Sequence, residues 1–151
     1  MGDKTDGDEP RYWIGVASQD HVRAGVEGGF AQLGHGKHSA VRLLRKGDWI
    51  AYYSPREHMG EGEPVQAFTA IGRIVSDAPY ESDMMMADHK AWRVDVEFNR
   101  KAEPALIRPI LEDLDLTKDR GSKWGMAFRR SKAEVSRADM ERIGRAMGVE
   151  V

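Results

Sequence analysis

Apolar positions along this chain come in short alternating bursts more often than in long helical stripes. In "RYWIGVAS" (11–18), Tyr12, Ile14 and Val16 share one face and Trp13, Gly15 and Ala17 the other, as a half-buried strand requires. Ser18 is placed to cap a short helix over "QDHVRAGVEGG", which Gly28 and Gly29 stop. "FAQLGHGKHSA" is broken by glycine and is expected as a loop with room for a short strand. "SAVRLLRKGD" offers one or two helical turns from Ser39, ended by Gly47. "GDWIAYYSP" (47–55) is a strand whose end carries two tyrosines, a serine and a proline. By alternation Tyr52 and Tyr53 face opposite sides, and Tyr53 is the one expected to face a pocket.

"REHMGEGEP" is expected as a polar loop, and "VQAFTAIGRIVSD" as a long strand bulged or bent at Gly72. "APYESDMMMADHK" connects it to "AWRVDVEFN", where Trp92, Val94, Val96 and Phe98 alternate cleanly with charged residues. Pro109 fits the first turn of a short helix. "WGMAFRRSKAEVS" is expected as a further strand region. "SRADMERIGRAMG" closes as a helix, with Ser136 and Asp139 as a capping box and Met140, Ile143 and Met147 as its apolar stripe.

Five or six strands interleaved with small helices predict an α+β fold, a small mixed and mostly antiparallel β-barrel with short helices around it. A doubly wound sheet fits poorly, because strands do not alternate with long helices. The expected organisation is a disordered acidic tail over 1–10, one domain over 11–148 and a short tail over 149–151. A length of 151 residues, 40% of them apolar, suits one core. No apolar run reaches the roughly 20 residues of a membrane helix. The absence of cysteine and of a secretory h-region suits a cytoplasmic protein.

A net charge of −2 does not suggest a general nucleic-acid binder, but the charge is uneven. Asp3, Asp6, Asp8 and Glu9 crowd the N-terminal segment, while Lys37, Arg42, Arg45 and Lys46 form one basic stretch. Lys118, Arg120, Lys123, Arg129, Arg130 and Lys132 form another, opposed by Asp119 alone. Converged in space, the two would face phosphate; scattered, they are a solvated face. "SKWGMAFRR" interleaves Trp124 and Phe128 with Lys123, Arg129 and Arg130, a mixture suited to stacking on an unpaired base and holding its phosphates.

Other chemistries find little support. His35 and His38 are three apart, yet glycine breaks that segment and no metal-site pattern completes it, so no metal and no cofactor are expected. The nucleophile elbow G-x-S-x-G, the P-loop and the dinucleotide fingerprint are all absent.

In order, "YWIGVASQDHV", "GFAQLGHGK", "KGDWIAYYSPR", "QAFTAIGRIV", "RPILEDL" and "SKWGMAFR" resemble the EVE domain, a member of the PUA-like barrel superfamily related to the YTH modified-RNA readers. The resemblance spans about residues 11–148 and is closest to stand-alone bacterial members. It implies a reader, not a catalyst, whose pocket takes a flipped or unpaired modified base of DNA or RNA. Carried over, Trp13, Ser18, His35, Gly36, Lys37, Tyr53, Ser54, Pro55 and Trp124 would form the base site, with Trp13 and Trp124 walling one slot. Lys123, Arg129 and Arg130 would contact phosphates. The alternatives are an RNA-binding PUA-like accessory module indifferent to modification, and a nucleotide-processing enzyme using His35 and Lys37.

Overall fold

The structure, a computed structural model, describes residues 9–82 and 91–151; the acidic segment over 1–8 and most of the 78–90 connection lie outside the described residues. Eight strands form one curled mixed sheet: β1 (Tyr12–Val16), β2 (Phe30–Ala31), β3 (Trp49–His58), β4 (Glu61–Ile74), β5 (Tyr80–Ser82), β6 (Ala91–Phe98), β7 (Ala105–Leu106) and β8 (Lys132–Val135). The main path runs β2-β6-β4-β3-β1-β8, with β5 paired to β6 and β7 to β4. Five strands have four residues or more, and the other three are stubs. The helices are α1 (Gln19–Gly28), α2 (His38–Val41) and α3 (Arg137–Ala146), with 3-10 turns at Gly34–Gly36, Arg108–Ile110 and Gly121–Phe128. None of the described helices is long and apolar enough to cross a membrane.

Among the described strands only β1 and β3 pair in parallel, Trp13 opposite Ile50 and Gly15 opposite Tyr52. Parallel neighbours need a crossover, and here residues 17–48 supply it by carrying α1, β2 and α2 over one face of the sheet. Alternation then makes two cores. Trp13, Ile50, Tyr52, Val94 and Val96 lie under the crossover with Val22, Leu33, Val41 and Leu44. Ile14, Ala51, Tyr53, Phe68 and Ile71 lie on the other side with Leu114, Phe128 and the α3 stripe Met140, Ile143 and Met147. Gly15 makes room for this arrangement, since a Cβ there would stand 2.8 Å from Leu33 Cδ2 and 3.1 Å from the Tyr52 ring.

Each core has a buried aspartate that gathers donors. Asp48, 3% exposed, accepts from the Arg11 amide (3.0 Å), the Trp13 indole Nε1 (2.9 Å) and the Arg45 amide (3.0 Å). Asp139 accepts from the Asp115 and Leu116 amides at 2.8 and 2.9 Å and from Arg142 Nη1 at 2.9 Å. Its own amide donates to Ser136 Oγ at 3.0 Å, the expected N-cap bond. Ser18, by contrast, stands at the N-cap of α1 without capping it; its hydroxyl donates to Asp20 Oδ1 at 2.6 Å.

Several expectations are corrected. The polar stretch 56–64 is not a loop: β3 and β4 continue through it as a hairpin turning at Met59–Gly60, with Gly60 and Gly62 at φ 72° and 86°. The bulge falls away from Gly72, at register shifts opposite Tyr52/Tyr53 and beyond Ser54, near Gln66 at φ 50°. Gly72 instead permits close backbone approach, because a Cβ would collide with the Glu97 carbonyl of β6. Residues 121–128 are helical rather than extended. Trp124 and Phe128 point inward while Met126 is 49% exposed, which strict alternation would forbid. Val149 and Val151, expected in a tail, pack against the second core.

The hairpin tip is tethered to the start of α1, His58 Nδ1 lying 3.0 Å from Asp20 Oδ2. This contact, chiefly its hydrogen bond, raises the His58 pKa, and the hydrogen bonds from Ser18 and His58 lower that of Asp20. A raised histidine pKa stabilises the fold below the unfolded value of 6.5, and that contribution disappears as pH rises through the folded value. Thermal melts should therefore separate wild type from His58→Ala most widely below pH 6.5 and above the Asp20 titration, the gap closing on the alkaline side; a gap independent of pH would contradict the tether. Asp48→Ala orphans the buried Trp13 indole N–H and two part-buried amides and should cost on the order of 3 kcal/mol in denaturant unfolding, and a loss below about 1 kcal/mol would contradict its role as anchor.

Candidate functional site

The short edge strands β2 and β8 are the two ends of the main sheet path, and the curl brings the segments beside them together. Gln32–His35 follow β2 and Arg129–Ser131 precede β8, and both line a cavity of about 560 Å³ with Val16, Ala17, Ser18, His21, Met59 and Ala91. The cavity thus occupies the seam of a half-barrel that does not close. On the β8 side the Val16 amide donates to the Ser131 carbonyl at 2.9 Å, continuing the β1–β8 ladder to the cavity's edge. Gly34 allows the approach, since a Cβ would sit 2.8 Å from Ala40 Cβ and 3.3 Å from Ser131 Oγ.

The floor is fixed by hydrogen bonds. Gln32 is 8% exposed; its amide donates to Tyr52 Oη at 3.3 Å and its side-chain Oε1 accepts from Arg93 Nη2 at 3.0 Å. Its carbonyl accepts from His21 Nε2 at 2.9 Å. A carbonyl can only accept, so that nitrogen carries the proton and, in the neutral ring, Nδ1 is left as an acceptor. With Oε1 engaged, the NH₂ side of Gln32 is left to donate. Full burial pushes the Tyr52 hydroxyl far up, so it acts here as a hydroxyl and not as a phenolate.

The rim is conformationally unusual. Gly34, His35 and Gly36 take successive positive φ values of 56°, 60° and 82°. A non-glycine residue in this region carries a cost, and histidine is among the few that visit it. Gly36 has no alternative, because a Cβ would meet Ala91 Cβ at 2.6 Å.

Of the residues expected at the site, Ser18 and His35 line this cavity, as do Arg129 and Arg130. Lys37 lies next door, in a crevice of about 340 Å³ that shares Gly34, His35, Arg130 and Ser131 with it. Gly36 is buried beneath Ala91. Trp13 and Trp124 do not share a slot. Trp13 is 3% exposed in the first core, held by Asp48, whereas Trp124 packs on Phe128 in the second, with the Arg108 guanidinium 5.4 Å from its ring. Tyr53 also belongs to the second core, stacked on Phe128 at 4.0 Å, with its hydroxyl pushed up to about 12 by burial. Tyr52 is the tyrosine on the cavity's side, one layer beneath it. Ser54 is fully buried with Oγ 2.8 Å from Thr69 Oγ1, Pro55 is exposed, and Lys123 is exposed on the 121–128 turns.

Sequence reading missed Ala17, His21, Gln32 and Met59. The signal available was the G-H-G break after a short strand, which marks where the chain must turn tightly; the partner edge came from a hundred residues downstream. Among the described residues the lining rings are imidazoles, so the planar groups of this site are His21, His35 and the two guanidinium groups.

Comparison with known proteins places this geometry. A UPF0310 protein of Mycolicibacterium vanbaalenii is 43% identical over 135 residues, covering 89% of this chain and 91% of that one. The UPF0310 protein YdcG of Bacillus subtilis is 39% identical over 142 residues, covering 93% and 94%. Among solved structures, a hypothetical protein from Leishmania major superposes with a TM-score of 0.59 at 15% identity, over 91% of this chain and 94% of that one. The MmI1 YTH domain does so at 0.53 and 10%, over 88% and 91%. Those two likenesses speak to a shared fold, the PUA-like half-barrel. The EVE domain matches residues 11–146, nearly the whole of the described fold, and the chain belongs to that family.

Proposed function

We propose that this protein is a non-catalytic nucleic-acid-binding module that takes one flipped or unpaired, chemically modified nucleobase of DNA or RNA into the seam cavity. The observation that carries the reading is the cavity itself. Its volume of about 560 Å³ lies within the range of small-molecule pockets, and it combines an apolar wall with hydrogen-bonding groups held in place from behind. Val16, Ala17 and Leu33 supply the apolar side; Ser18, His21 and Gln32 supply polar atoms; Arg129 and Arg130 supply charge. The YTH domain among its structural neighbours supports the class of ligand by analogy of fold alone.

Extracting a base from a stack costs a few kcal/mol, less when it is already unpaired. Stacking on histidine or arginine planes, rather than on the tryptophans, would offset that cost, since these groups also serve as platforms for splayed bases. Stacking returns roughly 1–3 kcal/mol per base. A methyl-sized modification adds only about 1 kcal/mol by filling apolar space, so selectivity depends on the polar floor, where an unmatched buried donor costs about 1–3 kcal/mol.

Short oligonucleotides with and without a single modified base should differ in affinity when titrated against the full chain, and equal affinity would favour an accessory RNA-binding module. Ala17→Phe should fill the cavity and abolish binding with the fold retained by circular dichroism; undiminished binding would move the site elsewhere. His35→Gly relieves a strained φ at the expense of unfolded-chain entropy, so stability should hold to within about 1 kcal/mol while affinity falls about tenfold, a loss of about 1.4 kcal/mol. Unchanged affinity would remove His35 from the site.

A further inference from the structure

We infer that the crevice beside the cavity is a separate anion subsite, which takes the phosphate attached to the nucleotide whose base enters the cavity. The assignment to a nucleotide rests on the reading above; the anion site itself rests on local charge. Lys37, Arg130 and Lys132 converge on this space of about 340 Å³ with the Ser39 side of α2, and no acid among the described residues lines it. None of the three has an acidic partner within 4 Å among the described residues.

Several surface cations elsewhere are matched: Arg11 bonds both oxygens of Glu134 (2.9 and 2.8 Å), Lys118 meets Asp115 at 3.0 Å and Arg137 meets Glu141 at 3.0 Å. Lys132 lacks such a match although, unlike the exposed Lys37 and Arg130, it is half-buried. Its Nζ stands 5.1 Å from the centre of the buried Trp13 ring, and Arg11 holds a neighbouring position on that ring at 4.7 Å. Burial, and then the nearby Arg42 and Arg11 charges, lower the Lys132 pKa. Bringing like charges together without a counter-charge is unfavourable, and a bound oxyanion reverses that sign.

Phosphate suits the geometry because its several oxygens can accept from an ammonium, a guanidinium and a hydroxyl at once. The shared wall of His35 and Arg130 sets the relation between the subsites. A base in the cavity and a phosphate in the crevice would sit on either side of that wall, joined by one sugar. The crevice thereby gives the bound strand a direction, since only one of the two phosphates flanking the flipped nucleotide can occupy it.

The test uses the full chain, amide NMR and three probes: inorganic phosphate, nucleoside monophosphates and their parent nucleosides. Phosphate should shift resonances of residues 34–39 and 130–132 at low ionic strength. The Lys37→Gln/Lys132→Gln variant should keep its melting temperature and bind phosphate at least about tenfold more weakly. A monophosphate carrying a base accepted by the cavity should bind tighter than either phosphate or nucleoside, and the double variant should remove the gain over the nucleoside. It should also flatten the salt dependence of oligonucleotide binding by about one contact's worth. Oligonucleotide binding at the cavity with no phosphate response in the crevice, and no effect of the double variant, would overturn the subsite while leaving the base reading intact. Phosphate binding in the crevice with no nucleotide or oligonucleotide binding would leave the anion site and overturn its assignment to a nucleotide. Phosphate shifts spread evenly over all basic residues would overturn the subsite outright.

Discussion

Strand β3 forces a division on which the rest of the molecule depends. Consecutive residues of a strand cannot share a face, so Tyr52 and Tyr53, both large and both buried, require a covering layer on each side of the sheet. One layer is the crossover between β1 and β3, and the other is α3 with the turns before it. Each layer is pinned by a buried carboxylate, Asp48 or Asp139, that collects donors from segments distant in sequence. Three partners apiece compensate these carboxylates for lost water, which makes them specific as well as stabilising: few other packings would satisfy every donor at once.

The cavity follows from that division and not from a ring of tryptophans. Trp13 is a pillar of the first core because its indole N–H finds Asp48, and a ring engaged on its polar edge and covered on its faces is structural. What remains open is the seam, where β2 is too short to extend the sheet to β8. Unpaired edges are normally blunted or covered. Here glycine at 34 and 36 and the strained His35 hold the gap at a fixed width, so the opening is preorganised.

Elements with a clear signal were legible from the residues: β1, β6 and α3 lie where alternation, or Ser136 with its apolar stripe, indicated, and α1 stops at Gly28 and Gly29 as those glycines indicated. The hairpin at 56–64 was not, because its strands run beyond the core and carry polar residues on both faces, leaving no alternation to read. The 121–128 turns were ambiguous because residues 124 and 128 share a face in either a strand or a helix, and the exposure of Met126 decides between them. The opposition of Tyr52 and Tyr53 was legible, but not which of them looks toward the cavity. That depends on the side taken by the crossover, a long-range property. Arg129 and Arg130 were singled out by local charge, and Ser18 and His35 by the family resemblance; His21 and Gln32 needed the packing of α1 and β2 to bring them to the floor.

The parallel pairing of β1 with β3 carries a consequence for how such a protein can diversify. The crossover that this pairing demands is the same stretch of chain that furnishes one bank of the cavity, so the recess cannot be deleted by trimming a loop without dismantling the sheet's centre. Ligand preference in this architecture can drift by exchanging side chains such as those at 17, 21 and 32, while the recess itself is inherited for as long as the fold is.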